Sequence, residues 1–314
     1  MVAYRLALSE QALSEWNVRV PRRRRAPAYV ERPRPMAGAT VLLATRGGPE
    51  ADGAVRIAAC AEDALGARPA VFTARPDGAD QQQGALIART VRDVRRQLSE
   101  HAEGRRAWPL EVAAGPVPVA IADAARRRGA SLVLTGLRHH SDADRLFREE
   151  NVVQLLRRTS VPVLAVAPTS VGLPRVALLA IDFSAASLHA AAVACTLLAP
   201  NAEVVLAHVR PTVGGIAGVG PSIAARYERG VESALERLGR TLPLPPGGRF
   251  EVAQLEGDPA ERLLERAMRI GADVVSVGVS TRPAPGGVAV GPVASTLLRS
   301  GACSVLAAPI GMDR

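Results

Sequence analysis

Short, continuous apolar runs alternate along this chain with segments whose apolar residues recur at helical spacing. Residues 41–45 carry no charge, as expected for a strand that is covered on both faces of a parallel sheet. Farther on, Ile87, Val91, Val94 and Leu98 fall on one face of a helix. The alternation continues to the C-terminal part of the sequence, and it predicts an α/β fold in which each strand is followed by a helix.

The second half of the sequence repeats the first half at a constant offset. Gly115 corresponds to Gly257, and the apolar segment 132–136 corresponds to 274–278, an offset of 142 residues. A repeat this long indicates two copies of one domain rather than a solenoid of short units. The sequence therefore predicts two tandem doubly wound (Rossmann-like) domains, each with a mostly parallel five-stranded sheet flanked by helices.

The repeat also divides the chain into three parts. Residues 1–37 are rich in proline and arginine and predict a basic, disordered tail. Residues 38–168 form the first domain, here named copy one, and residues 175–314 form the second, named copy two. The linker between them is so short that the copies must lie side by side.

Composition narrows the classes of function. The net charge is +9 and the Arg-rich tail supplies much of it, while the sequence contains no lysine. A Walker lysine and a Schiff-base lysine are therefore excluded. No apolar run reaches the roughly 18 residues that a transmembrane helix needs, no signal peptide is evident, and the default expectation is a cytoplasmic protein. The three cysteines are expected to be small buried residues rather than disulfide partners.

Ligands of doubly wound sheets bind beyond the carboxyl ends of the strands. In this chain the relevant positions are Arg46 and Asp182 after the first strand of each copy, and Gly136 and Gly278 at the fourth. Copy two continues from its fourth strand with Thr281 and then, after nine intervening residues, with Gly291. Glycines permit a phosphate to approach the backbone, and the helix that follows offers free N–H groups to an anion.

At this motif the chain resembles the universal stress protein family. The ATP-binding members of that family carry glycine, two residues, glycine, nine residues and then glycine-serine at this place. The resemblance covers residues 38–314 and includes the segments 181–184, 208–209, 257–259, 272–275 and 303–306. It implies a stress-response protein that acts by binding rather than catalysis, with ATP or AMP as the candidate ligand and no metal required. The candidate binding residues that it implies are Asp182, Val209, Gly278, Thr281, Gly291 and Val293.

Both copies depart from the family's motif. In copy two Thr281 stands at the second glycine and Pro292 at the serine, so one N–H and one hydroxyl are missing, and the sequence predicts a weakened site. In copy one the motif positions are His139, Glu149 and Glu150, and the acids would repel a phosphate. Copy one is therefore expected not to bind nucleotide.

Several alternatives remain open at this stage. Copy two could act as a weak ATPase or nucleotide sensor, although no catalytic residue is identified. Both sites could be inactive in a module that binds an unknown protein partner. The tail could contact nucleic acid, but a solvated tail is favoured. The loop 139–145 could suggest a metal site, but its spacing matches no closed ligand set, and a solvated loop is favoured. By resemblance, the copies are expected to pair as an intrachain pseudo-dimer through their last strands.

Overall fold

The computed structural model describes residues 35–75, 83–102, 107–137, 151–210, 221–279, 282–284 and 287–310. Almost all of the predicted tail lies outside these residues. The same is true of Thr281 and of the copy-one residues His139, Glu149 and Glu150.

Strands and helices alternate in copy one as the apolar pattern predicts. The strands are β1 (Thr40–Ala44), β2 (Arg68–Arg75), β3 (Leu110–Ala114), β4 (Leu132–Gly136) and β5 (Val163–Val166). The helices are α1 (Asp52–Leu65), which a 3-10 turn at Pro49–Ala51 precedes, α2 (Gln83–His101), α3 (Val117–Arg127) and α4 (Asn151–Leu156).

Copy two repeats the same order and adds a hairpin. Its main strands are β6 (Val176–Ala180), β7 (Glu203–Arg210), β8 (Arg249–Glu256), β9 (Val274–Val279) and β12 (Ser304–Pro309). Its helices are α5 (Ala185–Cys195), α6 (Pro221–Thr241), α7 (Pro259–Ile270) and α8 (Pro292–Ser300). Between β9 and α8, the strands β10 (Arg282–Ala284) and β11 (Gly287–Ala289) form a small antiparallel pair that the sequence does not predict.

The ten main strands form a single sheet in the order β3-β2-β1-β4-β5-β12-β9-β6-β7-β8. Within each copy all neighbouring strands are parallel, which confirms the predicted fold class. The predicted five-stranded sheets are therefore the two halves of one larger, mixed sheet.

The two halves join where β5 and β12 pair in antiparallel orientation. Leu164 faces Leu306, and these two residues are equivalents of each other in the repeat. A pseudo-two-fold axis therefore passes through this pair, and the expectation that the terminal strands meet is confirmed. Because each strand shields the edge of the other, neither is left as a bare template for aggregation.

Helices cover both faces of the sheet, and each apolar core extends through both copies. One core contains buried residues of α1, α2, α5 and α6, among them Val55, Val94 and Val231. The other contains residues of α3, α4, α7 and α8, among them Ile121 and Leu297. The copies thus share a continuous core on each face.

Hydrogen bonds fix the segment that joins the copies. The Arg56 guanidinium on α1 donates to the carbonyl oxygens of Pro168 and Ser170, at 2.5 and 2.7 Å. The Ser304 hydroxyl at the start of β12 accepts from the Ala167 amide at 3.1 Å. The connection is therefore tied to a helix of copy one and to the last strand of copy two.

Two other expectations are decided by the described residues. Cys195 is buried, but Cys60 and Cys303 are only half-buried, so the prediction of three buried cysteines is wrong for two of them. None of the helices within the described ranges is both long enough and apolar enough to cross a bilayer.

Candidate functional site

Three of the candidate residues lie at the carboxyl ends of neighbouring strands in copy two. β6 pairs with β7 up to the Ala180–Ala207 pair, so Asp182 and Val209 each lie two residues beyond it. Gly278 lies next to the end of β9, on the other side of β6. The structure therefore brings Asp182, Val209 and Gly278 to one edge of the sheet, as predicted for a ligand site of this fold.

A short hydrogen-bonded turn holds Asp182 in place. Its Oδ1 accepts from the Ser184 amide at 2.9 Å, and its own amide donates to the Ser187 hydroxyl at 3.3 Å. Ser184 is the N-cap of α5, where its hydroxyl accepts from the Ser187 amide at 3.1 Å. The turn and the first turn of α5 therefore form one unit.

This turn also sets the charge of Asp182. Partial burial of the carboxyl group is the largest single influence and raises its pKa, but the hydrogen bonds from Ser184 and Ser187 together outweigh burial. The net effect lowers the pKa of Asp182 below its ordinary value. Although the carboxyl group is partly enclosed, the residue as a whole is exposed to solvent. At neutral pH, Asp182 is therefore an ionised hydrogen-bond acceptor that is exposed to solvent at the carboxyl edge of the sheet.

The glycine at the end of the fourth strand is explained by packing in both copies. A Cβ on Gly278 would overlap the backbone of Ala186 and Ser187 at the start of α5. A Cβ on Gly136 would likewise overlap the backbone of Glu50, just before α1. The strand end approaches the first helix so closely that only glycine fits, whether or not a ligand binds there.

Gly291 has no such structural explanation. It is the N-cap of α8 with φ −60° and ψ 155°, a conformation open to any residue. In the part of the chain that the structure describes, no atom lies within 4 Å of where its Cβ would be. β12 runs parallel to β9, so the start of α8 lies at the same carboxyl edge of the sheet as Asp182 and Gly278.

The first turn of α8 presents backbone donors. Among the described residues, no side chain caps this helix, and Pro292 at its first position has no N–H. The N–H groups of Val293 and Ala294 are next in the first turn, where an α-helix has no internal acceptor for them. This arrangement suits an anion, and it supplies one donor fewer than a serine at position 292 would allow.

A buried histidine beside the predicted residues is not assigned a role by the sequence analysis. His208 is 1% exposed, and its Nδ1 lies 2.7 Å from the carbonyl oxygen of Ile181. Its Nε2 lies 3.1 Å from the Tyr227 hydroxyl on α6. The ring of Phe183 packs against the imidazole, with ring centroids 5.3 Å apart. A histidine inside an otherwise apolar buried strand is the sequence signal that could have drawn attention to it.

Copy one is built differently at the equivalent edge. Arg46, which stands in the place of Asp182, is exposed. Gln97 of α2 is buried and closes the turn after β1. Its Oε1 accepts from the Thr45 hydroxyl at 2.8 Å, while its Nε2 donates to the Gly48 carbonyl at 2.6 Å and to Asp52 Oδ1 at 2.7 Å.

The turns after β1 and β6 have the same backbone conformation but different occupants. Gly47 has φ +81° and its equivalent Phe183 has φ +59°, both left-handed. A Cβ on Gly47 would lie 2.5 Å from the backbone carbonyl carbon of Asp93, so α2 rests directly on this turn. Phe183 carries a full side chain at the same place, and α6 therefore cannot approach its turn as α2 does.

The remaining candidates cannot be placed. Thr281 lies outside the described residues, as do the copy-one motif residues and the loop that offered a metal alternative. Among the described side chains, no group of three or more His, Cys, Asp or Glu residues could hold a metal ion.

The sequence model of the universal stress protein family matches this chain twice, at residues 39–167 and 175–309. No curated protein sequence is significantly similar to the chain.

Two solved structures show the same fold over both copies. A universal stress protein from Archaeoglobus fulgidus DSM 4304 is 17% identical with a TM-score of 0.60, over 87% of this chain and 98% of the relative. A putative universal stress protein from Pseudomonas aeruginosa UCBPP-PA14 is 17% identical with a TM-score of 0.62, over 87% of this chain and 94% of the relative. A universal stress protein in complex with cAMP is 24% identical with a TM-score of 0.33, over 42% of this chain and 99% of the relative.

Proposed function

The chain belongs to the universal stress protein family, and on that premise we propose that it is a stress-response protein in which copy two binds an adenine nucleotide, ATP or AMP, while copy one does not. The protein then acts by binding rather than by catalysis. Copy one contributes the other half of the shared sheet and core, and so supports copy two structurally.

The proposal depends above all on the contrast between Gly278 and Gly291. The packing of α5 accounts for Gly278, so this glycine carries little information about a ligand. Gly291 lies in ordinary extended backbone before the first turn of α8, with open space around it among the described residues. A glycine that the fold does not require, next to free helix N–H groups, supports the close approach of a phosphate.

Asp182 supports a nucleoside at the same edge. Its carboxylate is ionised and held in one orientation by Ser184, so it can accept a hydrogen bond from a ribose hydroxyl or an adenine amino group without first being ordered. Val209 is half-buried beside it and offers apolar surface and backbone.

Copy one lacks the corresponding features. Arg46 carries the opposite charge, and the backbone of α2 rests on Gly47. The three hydrogen bonds of Gln97 hold α2 in that place. These contacts leave less room at the edge of copy one, which supports the assignment of binding to copy two alone.

Isothermal titration calorimetry with ATP and AMP tests this assignment. Asp182→Ala removes a charged acceptor and is expected to weaken binding about 10- to 100-fold. Gly291→Glu places a negative charge at the phosphate position, where repulsion of about 4 kcal/mol should abolish measurable binding. Arg46→Ala is the matched control in copy one and should leave the affinity unchanged. Binding that survives both copy-two substitutions would contradict the proposal.

A further inference from the structure

A chain of contacts connects the turn that carries Asp182 to helix α6. His208 is buried at the carboxyl end of β7, immediately before Val209. One ring nitrogen contacts the Ile181 carbonyl, and the other contacts the Tyr227 hydroxyl. His208 is not among the candidate binding residues, so its place needs a separate explanation.

The partners of His208 fix where its proton lies. A carbonyl oxygen can only accept, so Nδ1 carries the proton and donates to Ile181. Burial is the largest influence and lowers the pKa of His208, while the Ile181 carbonyl and the Asp182 charge raise it; the net effect lowers it. The neutral ring then presents Nε2 as an acceptor, and the Tyr227 hydroxyl donates to it.

The aromatic contact supports the same turn from its other side. Phe183 holds φ +59°, a region that bulky residues rarely occupy. Such a conformation persists only where the surroundings hold it. Its ring packs on His208 with centroids 5.3 Å apart, so His208 holds Ile181 by a hydrogen bond and Phe183 by packing. Asp182 lies between these two residues.

We propose that His208 is a positioning residue of the copy-two site, which sets the turn carrying Asp182 and couples it to helix α6 through Tyr227. This inference rests on the proposed function for its ligand, an adenine nucleotide. Coupling free energies are reciprocal. The bond to Tyr227 should therefore tighten nucleotide binding, and bound nucleotide should stabilise α6.

Copy one shows that these contacts are not part of the common scaffold. Strand register places Thr73 at the position of His208. Thr73 is 1% exposed, and its hydroxyl has no hydrogen-bond partner among the described residues. Thr90 corresponds to Tyr227 in the helical repeat, and its hydroxyl donates to Leu86 within its own helix. The hydrogen bond between His208 on β7 and Tyr227 on α6 therefore has no counterpart at the equivalent residues of copy one.

The test compares two hydroxyl deletions on the same helix in the full chain. Tyr227→Phe removes the donor to His208 and keeps the ring. Ser233→Ala removes an exposed hydroxyl that accepts from Arg237, two turns away from Tyr227. Without ligand, ¹⁵N NMR of histidine-labelled protein reports the His208 tautomer, and hydrogen exchange reports the opening of α6.

The expected results separate the two variants. Wild-type His208 should show the Nδ1–H tautomer. In Tyr227→Phe the Nε2 resonance should shift, and amides of α6 near residue 227 should exchange roughly 3- to 10-fold faster. AMP should bind this variant roughly 3- to 10-fold more weakly and should slow exchange in wild-type α6. Ser233→Ala should match the wild type in every measurement.

The two proposals fail in different ways. If the wild type binds neither AMP nor ATP, the proposed function is wrong, and the tautomer and exchange measurements still decide whether His208 holds the turn to α6. If the wild type binds AMP but Tyr227→Phe matches it in affinity, nitrogen shift and exchange, the positioning role is overturned. An Nε2–H tautomer of His208 would overturn it as well.

Discussion

The carboxyl edges of the two copies have the same backbone scaffold but carry different side chains. Both keep a left-handed residue in the turn after the first strand and a glycine at the end of the fourth. In copy one the turn residue is Gly47, and α2 rests on it. In copy two it is Phe183, which follows the ionised Asp182 in the chain and packs on His208. Among the described residues, the same scaffold therefore carries different side chains at the two edges.

This comparison separates two kinds of glycine within one motif. Gly136 in copy one and Gly278 in copy two occupy the same position, where the backbone at the start of a helix lies too close for any side chain. Gly291 is not required by packing among the described residues. A glycine present at the same position in both copies is thus evidence for the scaffold, whereas Gly291, which copy one lacks, is the glycine that the proposed ligand would explain.

The largest expected effect concerns the shared glycines. Gly136→Ala and Gly278→Ala each force backbone apart, and each should lower the free energy of unfolding by about 1–3 kcal/mol in urea denaturation of the full chain. Gly291→Ala is the control and should change it by less than about 0.5 kcal/mol. Equal stability of all three variants would show that Gly278 is not held by packing.

A second prediction concerns the contacts that close copy one. Gln97→Ala leaves the buried Thr45 hydroxyl and the half-buried Gly48 carbonyl and Asp52 carboxylate without this partner, and it should cost about 1–3 kcal/mol of unfolding free energy. AMP affinity should be unchanged, because this edge is not the binding site. Arg96→Ala, which removes an exposed ion pair on the same helix, should have little effect on either quantity. A change of AMP affinity in Gln97→Ala would instead assign binding to copy one.

The third prediction raises the affinity of copy two. Pro292→Ser returns an N–H and a hydroxyl to the first turn of α8 and should tighten ATP binding about 10-fold in calorimetry. Pro259→Ser provides a matched control, because Pro259 occupies the first position of α7, whose N-cap Asp258 already accepts from Glu261. If Pro292→Ser binds ATP no better than the wild type, the first turn of α8 does not contact the phosphates.

The smallest expected effect is a pH dependence of stability. Folding lowers the pKa of His208, mainly through burial, so the unfolded chain binds this proton more readily. The stability associated with neutral His208 is complete above the unfolded pKa of about 6.5 and is lost as the pH falls below it. Thermal unfolding between pH 7.5 and 5 should therefore show a shallower loss in His208→Gln than in wild type. An unchanged slope in His208→Gln would mean that folding does not lower the pKa of His208.

Much of the architecture could be predicted from the sequence, because strands buried on both faces leave continuous apolar runs and the repeat doubles every signal. The pairing of β5 with β12 was also predictable, since two apolar edges joined by a short linker have few other arrangements. The hairpin β10–β11 was not predicted, because its three-residue strands are too short to show a period.

The site was harder to predict from the sequence, because it depends on contacts between residues that are far apart in the chain. Gly278 looks like a phosphate-binding glycine, and only the position of α5 shows that packing requires it. The role of His208 depends on Tyr227, which lies on another element. The closure of copy one depends on Gln97, far from the motif in the chain. Whether Val209, Thr281 and Val293 contact a nucleotide stays a prediction.

The central claim, that copy two alone retains a nucleotide site, is tested most directly by counting bound nucleotide. Native mass spectrometry of the full chain with AMP should show a single bound molecule per chain. The bound fraction should fall strongly in Asp182→Ala and disappear in Gly291→Glu, and it should be retained in Arg46→Ala. Two bound molecules, none, or a single one that persists in both copy-two variants would contradict the account.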